Sequence, residues 1–283
     1  MKSFKPGAPK GVILCADDFA VNASASLGIV KLAASGRISA TSAMVLSPRW
    51  AGDAALLQDL RGHIDVGLHL DWTSDFARSG GHGMGLGAAM LKAVLGGFGS
   101  GATLAATRAV IERQLDLFEA HLGAPPDHVD GHQHVQQFAG IRATLVQTLT
   151  HRYGGPGRRL PYLRISRARA GSAALKSWVI AAMGAAALEK RAADAGITTA
   201  KALLGVYDFS GDPAHYAALM ADWLRQAPTG AIIMCHPAQA AEPLDPIGGA
   251  RAQEFNYLVG PAFAAVLARE QVQLVRGRMA ALT

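Results

Sequence analysis

The sequence predicts one α/β domain built as a TIM-like (β/α) barrel, irregular or seven-stranded. Three observations predict it. Eight short apolar runs read as strands and alternate with longer amphipathic stretches, which is the pattern of parallel βα units. Several of those runs end in aspartate or histidine, and polar groups at the ends of separate strands are the sequence picture of a barrel site. The chain has 283 residues, 50% of them hydrophobic, enough for one large core, so residues 1–283 are read as a single domain. An open doubly wound sheet is the alternative, but no Gly-x-Gly-x-x-Gly follows the first run.

The expected strands are 11–16, 38–46, 64–70, 128–131, 162–166, 203–207, 231–235 and 272–275. The first is a bare apolar run that stops at Asp17-Asp18. Helical patterns fall between the strands at 23–35, 51–60, 103–122, 138–151, 171–194, 213–226 and 249–269. Two stretches break the alternation. Residues 79–101 are rich in Gly, Ala and Met and follow His69, which suits a lid or substrate loop, or else a flexible insertion. Residues 176–190 read as an apolar, Ala-rich helix for the core or a homodimer interface, with peripheral membrane contact as the alternative.

Charge and cysteine content exclude several classes. Lys and Arg number 27 against 21 Asp and Glu, and the net charge of +6 is spread along the chain. The one local cluster is Arg158, Arg159, Arg164, Arg167 and Arg169. This is a mildly basic surface with no nucleic-acid footprint, and an anionic substrate stays open. Cys15 and Cys235 are too far apart in sequence for a disulfide framework and read as reduced, buried thiols of a cytoplasmic protein. The N-terminal apolar stretch is too short for a signal peptide, and no segment reads as a transmembrane span. There is no Gly-x-Ser-x-Gly, Walker loop or Cys-x-x-Cys.

Four clusters carry the candidate chemistry. Asp17 and Asp18 are adjacent at a strand end, where alternation points them to opposite sides of the backbone. One could bind a metal and the other act as base; capping the helix near Ala23 is the structural alternative. His69 follows Val66-Gly67-Leu68. His128-Val129-Asp130-Gly131-His132-Gln133-His134 packs three imidazoles and a carboxylate into seven residues. If that strand continued, 128, 130, 132 and 134 would share one face, with His128 structural at its start. His236 follows 232–235 and is locked by Pro237. Each histidine alone could be structural. Taken together they offer imidazole and carboxylate, the usual ligands of a divalent metal, and one Asp with two His leaves metal positions open for water and substrate.

Ala16-Asp17-Asp18-Phe19, Gly67-Leu68-His69, the run 128–134 and Met234-Cys235-His236-Pro237-Ala238 together resemble the YdjC-like carbohydrate deacetylases. That family includes chitooligosaccharide deacetylases and hopanoid-biosynthesis deacetylases. The motifs occur in the family's order and span residues 11 to about 275. The resemblance implies a barrel of the polysaccharide-deacetylase kind and a metal-dependent hydrolase. By that resemblance the hydrolase would remove acetate from an N-acetylated amino sugar, as an oligosaccharide or a glycolipid. It implies Asp18, His69 and His132 as metal ligands, Asp17 as the base on the attacking water and His236 as the acid for the leaving amine. Arg164 is expected to hold Asp17 or the substrate. The metal so implied is one divalent ion, Zn²⁺ or Mg²⁺ first, with Mn²⁺, Co²⁺ or Ni²⁺ as alternatives. The chain departs from the family where Gln133 and Gln136 stand in place of histidine. A glutamine cannot transfer a proton but can hydrogen-bond a sugar, so Gln133 and His134 are expected near the substrate. Two competing readings remain: another metal-dependent barrel hydrolase, such as a phosphoesterase, and a metal-dependent sugar-binding protein without turnover.

Overall fold

The computed structural model describes residues 8–167, 182–280 and 282. Its centre is a curled sheet of parallel strands. These are β1 (Lys10–Phe19), β2 (Ala40–Ala43), β3 (Asp65–Leu70), β4 (His128–Gly131), β5 (Tyr162–Leu163), β6 (Leu203–Leu204), β7 (Ile232–Cys235) and β8 (Val272–Leu274). Seven follow one another in the order β5-β4-β3-β2-β1-β7-β6. A parallel bridge between Leu163 and Thr199, just before β6, ties the two ends of that order together. The eighth strand pairs only with the lower part of β1, Lys10 to Val12, beneath the stretch that pairs β2. The result is the expected irregular, seven-stranded TIM-like barrel.

Alternation along the strands decides what faces the barrel interior. Ile13, Cys15, Ala40, Tyr162, Leu203, Ile232 and Met234 form one small cluster inside it. Their neighbours Val12, Leu14, Ala16, Val129, Leu163, Ile233 and Cys235 belong to the larger core under the helices. Both faces are therefore buried, which is why these strands read as unbroken apolar runs. The interior also admits no side chain at Gly67: a Cβ there would collide with the His128 imidazole.

The helices carry the expected signals at their ends. Asn22 caps the helix Ala23–Ala34, accepting from the Ala25 N–H at 2.8 Å, so neither aspartate of β1 serves as that cap. Asp212 caps Pro213–Gln226 with Pro213 in its first turn. Gly123, at φ 69°, ends Gly101–Leu122. The pattern over 249–269 is two helices, Gly248–Val259 and Pro261–Arg269, because Pro261 starts a new helix and supplies no N–H to continue the first. The pattern over 51–60 is a helical turn at Trp50–Asp53 that tightens into a 3₁₀ stretch, Ala54–Leu60. Within 79–101 a helix forms at Leu86–Val94, burying Ala89 and Ala93. Of the apolar helix expected over 176–190, residues 176–181 lie outside the described residues, as does Arg169; Ala185–Asp194 is helical. Among the described residues no helix is long and apolar enough to cross a membrane.

Candidate active site

The inward-facing position becomes polar at the carboxyl end of five strands. Continuing the alternation above Ile13 and Cys15 puts Asp17 inside. The same parity brings in His69 above Gly67, Asp130 above His128, Arg164 above Tyr162, and His236 above Met234. All five are buried, Asp17 to 1% exposure and His236 to 9%. The mouth of the barrel is thus lined by titratable side chains above the inward cluster of Ile13, Cys15, Ala40 and Tyr162.

Asp18 and His132 reach the same mouth by leaving strand geometry. Alternation would send Asp18 outward, as the sequence predicts. Instead the pairing of β1 with β2 shifts register between Ala16 and Phe19, and Asp18 adopts φ 65°. This bulge turns the second carboxylate back over the barrel, so Asp17 and Asp18 both face the site. Beyond Gly131 the chain does not continue as a strand. It coils into a short 3₁₀ segment, His132–Gln137, in which Gln133 and His134 are left-handed, at φ 51° and φ 64°. The shared face expected over 128–134 therefore ends at Asp130, and His132 is delivered by the turn. Left-handed backbone at Asp18, Gln133 and His134 is the kind of local strain that functional sites retain.

Asp18, His69 and His132 converge. His132 Nδ1 lies 3.3 Å and His69 Nε2 3.4 Å from Asp18 Oδ1. That oxygen is buried and has no hydrogen bond. The three ligand atoms lie within 4.8 Å of one another. One anionic oxygen facing two imidazole nitrogens is a donor set that fits a divalent cation. The surroundings prepare it. His69 Nδ1 is 2.7 Å from Asp130 Oδ1, so that nitrogen carries a proton and Nε2 is the nitrogen turned to the site. Arg251 Nη2 holds the other oxygen of Asp18 at 2.7 Å and leaves Oδ1 free. Below, Ser42 donates to Asp130 Oδ2 at 2.5 Å, and His128 Nε2 lies 3.0 Å from the same hydroxyl. His128 is structural, stacked on Tyr162 with ring centroids 5.1 Å apart.

The electrostatics favour a cation. Burial alone would raise Asp18, yet Arg251 and the two imidazoles hold it well below the usual carboxylate range. Burial would likewise raise Asp130, and Arg164 with His69 hold it low. Burial would lower His69, but Asp130, Asp18 and Asp17 push it up to about 10. An imidazole that so strongly holds a proton reports an excess of negative charge, which a metal ion would also satisfy.

Asp17 stands beside this group and outside it. Its Oδ1 accepts from Arg164 Nη1 at 2.7 Å, and the same guanidinium lies 3.0 Å from Asp130 Oδ2. Its Oδ2 faces His236 Nε2 at 3.9 Å. Burial lowers the His236 imidazole to about 4, so it is neutral near pH 7. His134 Nδ1 lies 2.8 Å from the Ser166 hydroxyl, and burial with the charge of Arg164 holds its imidazole well below its ordinary value. Gln133 is exposed at the rim. Gln136 is buried and donates to the Arg164 carbonyl at 3.1 Å and to Ser166 Oγ at 3.2 Å, which braces that loop. The loop after His69 is fixed by Gln114, whose Oε1 accepts from the Asp71 N–H at 2.9 Å and whose Nε2 donates to the Asp71 carbonyl at 3.1 Å.

Sequence reasoning assigned no role to Asp130, Arg251, Asp245 or Glu254. Asp130 shares its parity with His128. Arg251 and Glu254 lie one turn apart on the buried stripe Gly248, Arg251, Glu254, Phe255, Leu258. Charged residues on an inward stripe are the signal that marks them.

Comparisons with known proteins agree with this architecture. A carbohydrate deacetylase of Homo sapiens is 28% identical over 297 residues, covering 93% of this chain and 88% of its own length. A carbohydrate deacetylase of Mus musculus is 28% identical over 300 residues, covering 93% and 92%. A crystal structure from Enterococcus faecalis V583, of a protein provisionally described as a cellobiose-phosphate cleavage protein, has the same fold. Its TM-score is 0.68 at 17% identity, over 96% of this chain and 98% of that one. The family model for YdjC-like proteins matches residues 11–269, from the start of β1 to the end of the helix after Arg251 and Glu254. Every residue of the site falls inside that match, and the chain belongs to the YdjC-like protein family.

Proposed function

We propose that residues 1–283 form one metal-dependent carbohydrate N-deacetylase domain. The observation that carries the reading is Asp18 Oδ1, buried, without a hydrogen bond and faced by the imidazole nitrogens of His69 and His132, beside a second carboxylate, Asp17, and a third imidazole, His236. The carbohydrate deacetylases similar to this chain support the choice of reaction. Asp18, His69 and His132 would hold the metal, with Zn²⁺ or Mg²⁺ the first candidates. When bound, the cation would polarise an amide carbonyl and acidify a water.

The remaining steps belong to the side chains. Asp17, oriented by Arg164, accepts a proton from the water as its oxygen adds to the acetamide carbon. His236 enters the reaction as a neutral imidazole. The proton it delivers therefore comes from Asp17, whose Oδ2 faces its Nε2. When the C–N bond breaks, His236 gives that proton to the amine and acetate leaves. A pure binding module has no need of such a facing base and acid. Gln133 and His134 would meet the N-acetylated sugar, with Arg164 behind them holding Asp17.

The test is product release from N,N′-diacetylchitobiose and from an N-acetylglucosaminyl lipid, followed by proton NMR. Acetate and free amine are expected in equal amounts, and the faster substrate separates soluble from lipid-linked sugars. Phosphate released from a sugar phosphate, with no acetate from either compound, would replace this reading with a phosphoesterase.

A further inference from the structure

Glu254 is a buried carboxyl that the reaction above does not use. It is 0% exposed, and its two oxygens are committed to two loops of the barrel mouth. Its Oε2 accepts from the His236 backbone N–H at 2.5 Å. Its Oε1 accepts from the Tyr207 hydroxyl, in the loop after β6, at 2.6 Å. The same helix holds the chain on the other side of that residue: Arg251 Nη1 reaches the His236 carbonyl at 3.4 Å, and the Arg251 carbonyl accepts from the Ala238 N–H at 3.1 Å. Two residues beyond Tyr207, the Phe209 ring stands edge-on to the His236 imidazole, centroids 5.1 Å apart, on a backbone at φ 62°. The imidazole itself receives no orienting hydrogen bond at Nδ1, which is buried and without a partner. The direction of Nε2 is therefore set through the main chain and the neighbouring ring.

We propose that Glu254 is a positioning residue for the proton transfer to the leaving group: it fixes the His236 peptide and, through Tyr207, the loop that carries Phe209, and so aims the imidazole. The inference rests on the deacetylase reading, in which His236 protonates the amine. Burying a carboxyl costs free energy, and the cost is reflected in a Glu254 carboxyl that burial pushes up to about 7. A residue kept there at that cost, with both oxygens on mouth loops, serves their geometry.

The test uses two leaving groups. An acetamide cannot expel its amine without a proton, whereas 4-nitrophenyl acetate expels a stable phenolate unaided. Wild-type protein is first assayed on both. Glu254→Ala is expected to lower kcat for N,N′-diacetylchitobiose about 10–100-fold, with KM and bound metal unchanged. Its rate on 4-nitrophenyl acetate should stay within about threefold of wild type. Glu254→Gln offers an oxygen to the His236 N–H and an N–H to the Tyr207 oxygen, and should restore most of the amide rate. If Glu254→Ala does not fold, Glu254→Asp carries the same comparison, since it withdraws the carboxylate by one methylene. An equal loss on both substrates, or no loss on either, overturns the proposal. Wild-type protein that releases no acetate from the amide overturns the deacetylase reading instead, before any variant is compared.

Discussion

Asp17→Asn is expected to keep its metal and lose about 10²–10⁴ of its turnover, the range that a positioned general base supplies. The substitution preserves shape and the acceptor oxygen for Arg164 Nη1, which lies 2.7 Å from Asp17 Oδ1. It replaces the oxygen facing His236 with an amide that cannot take a proton. Asp17 is not among the three residues around Asp18 Oδ1, so metal content should match wild type. Because the base acts only as the water attacks, kcat and kcat/KM should fall together with KM nearly constant. Metal analysis of the purified variant beside acetate-release kinetics checks both halves. Full activity in Asp17→Asn would show that the base is another group.

The second large effect is loss of the metal itself. His132→Ala should weaken metal binding by at least about 10²-fold, since removing even an outer partner of a ligand costs 10–100-fold. The same variant should be nearly neutral for folding: the side chain is 23% exposed and sits on a turn at the end of β4. Asp18→Ala should also lose the metal, but with a stability cost. Its Oδ2 pairs with Arg251, which is 4% exposed and would keep Asp245 and the His236 carbonyl as partners. Breaking a buried ion pair costs about 3 kcal/mol, offset in part by that second carboxylate. Chelator competition for affinity and thermal melts in excess chelator separate the two. A His132→Ala protein that binds metal as tightly as wild type would remove His132 from the ligand set.

The strands were legible because both faces of the sheet are buried, which leaves unbroken apolar runs with few ways to fold. Five of the inward polar groups were legible in principle from period-two spacing alone: 15 and 17, 67 and 69, 128 and 130, 162 and 164, 234 and 236. What spacing cannot reveal is a change of backbone. Asp18 enters the site through a bulge, and His132 through a turn with two left-handed residues, so alternation misplaces the first and credits the second to a strand that has ended. Arg251 and Glu254 were hidden for a different reason. They lie more than 230 residues from the Asp17-Asp18 pair in sequence, on a helix whose contact with the barrel mouth depends on the closed sheet. Only their place on a buried stripe betrays them. The stretch 79–101, expected as a lid or substrate loop or else a flexible insertion, contains a helix whose buried Ala89 and Ala93 are hard to read behind its Gly-rich start.

The most direct test of the account is metal add-back. Metal-stripped protein is titrated with Zn²⁺, or with Mg²⁺ in parallel, while acetate release from N,N′-diacetylchitobiose is followed. The account predicts no release without metal and a rate that rises to a plateau at one ion per chain, with the Asp17→Asn protein binding the ion and staying inactive. Undiminished acetate release from fully stripped protein would contradict it.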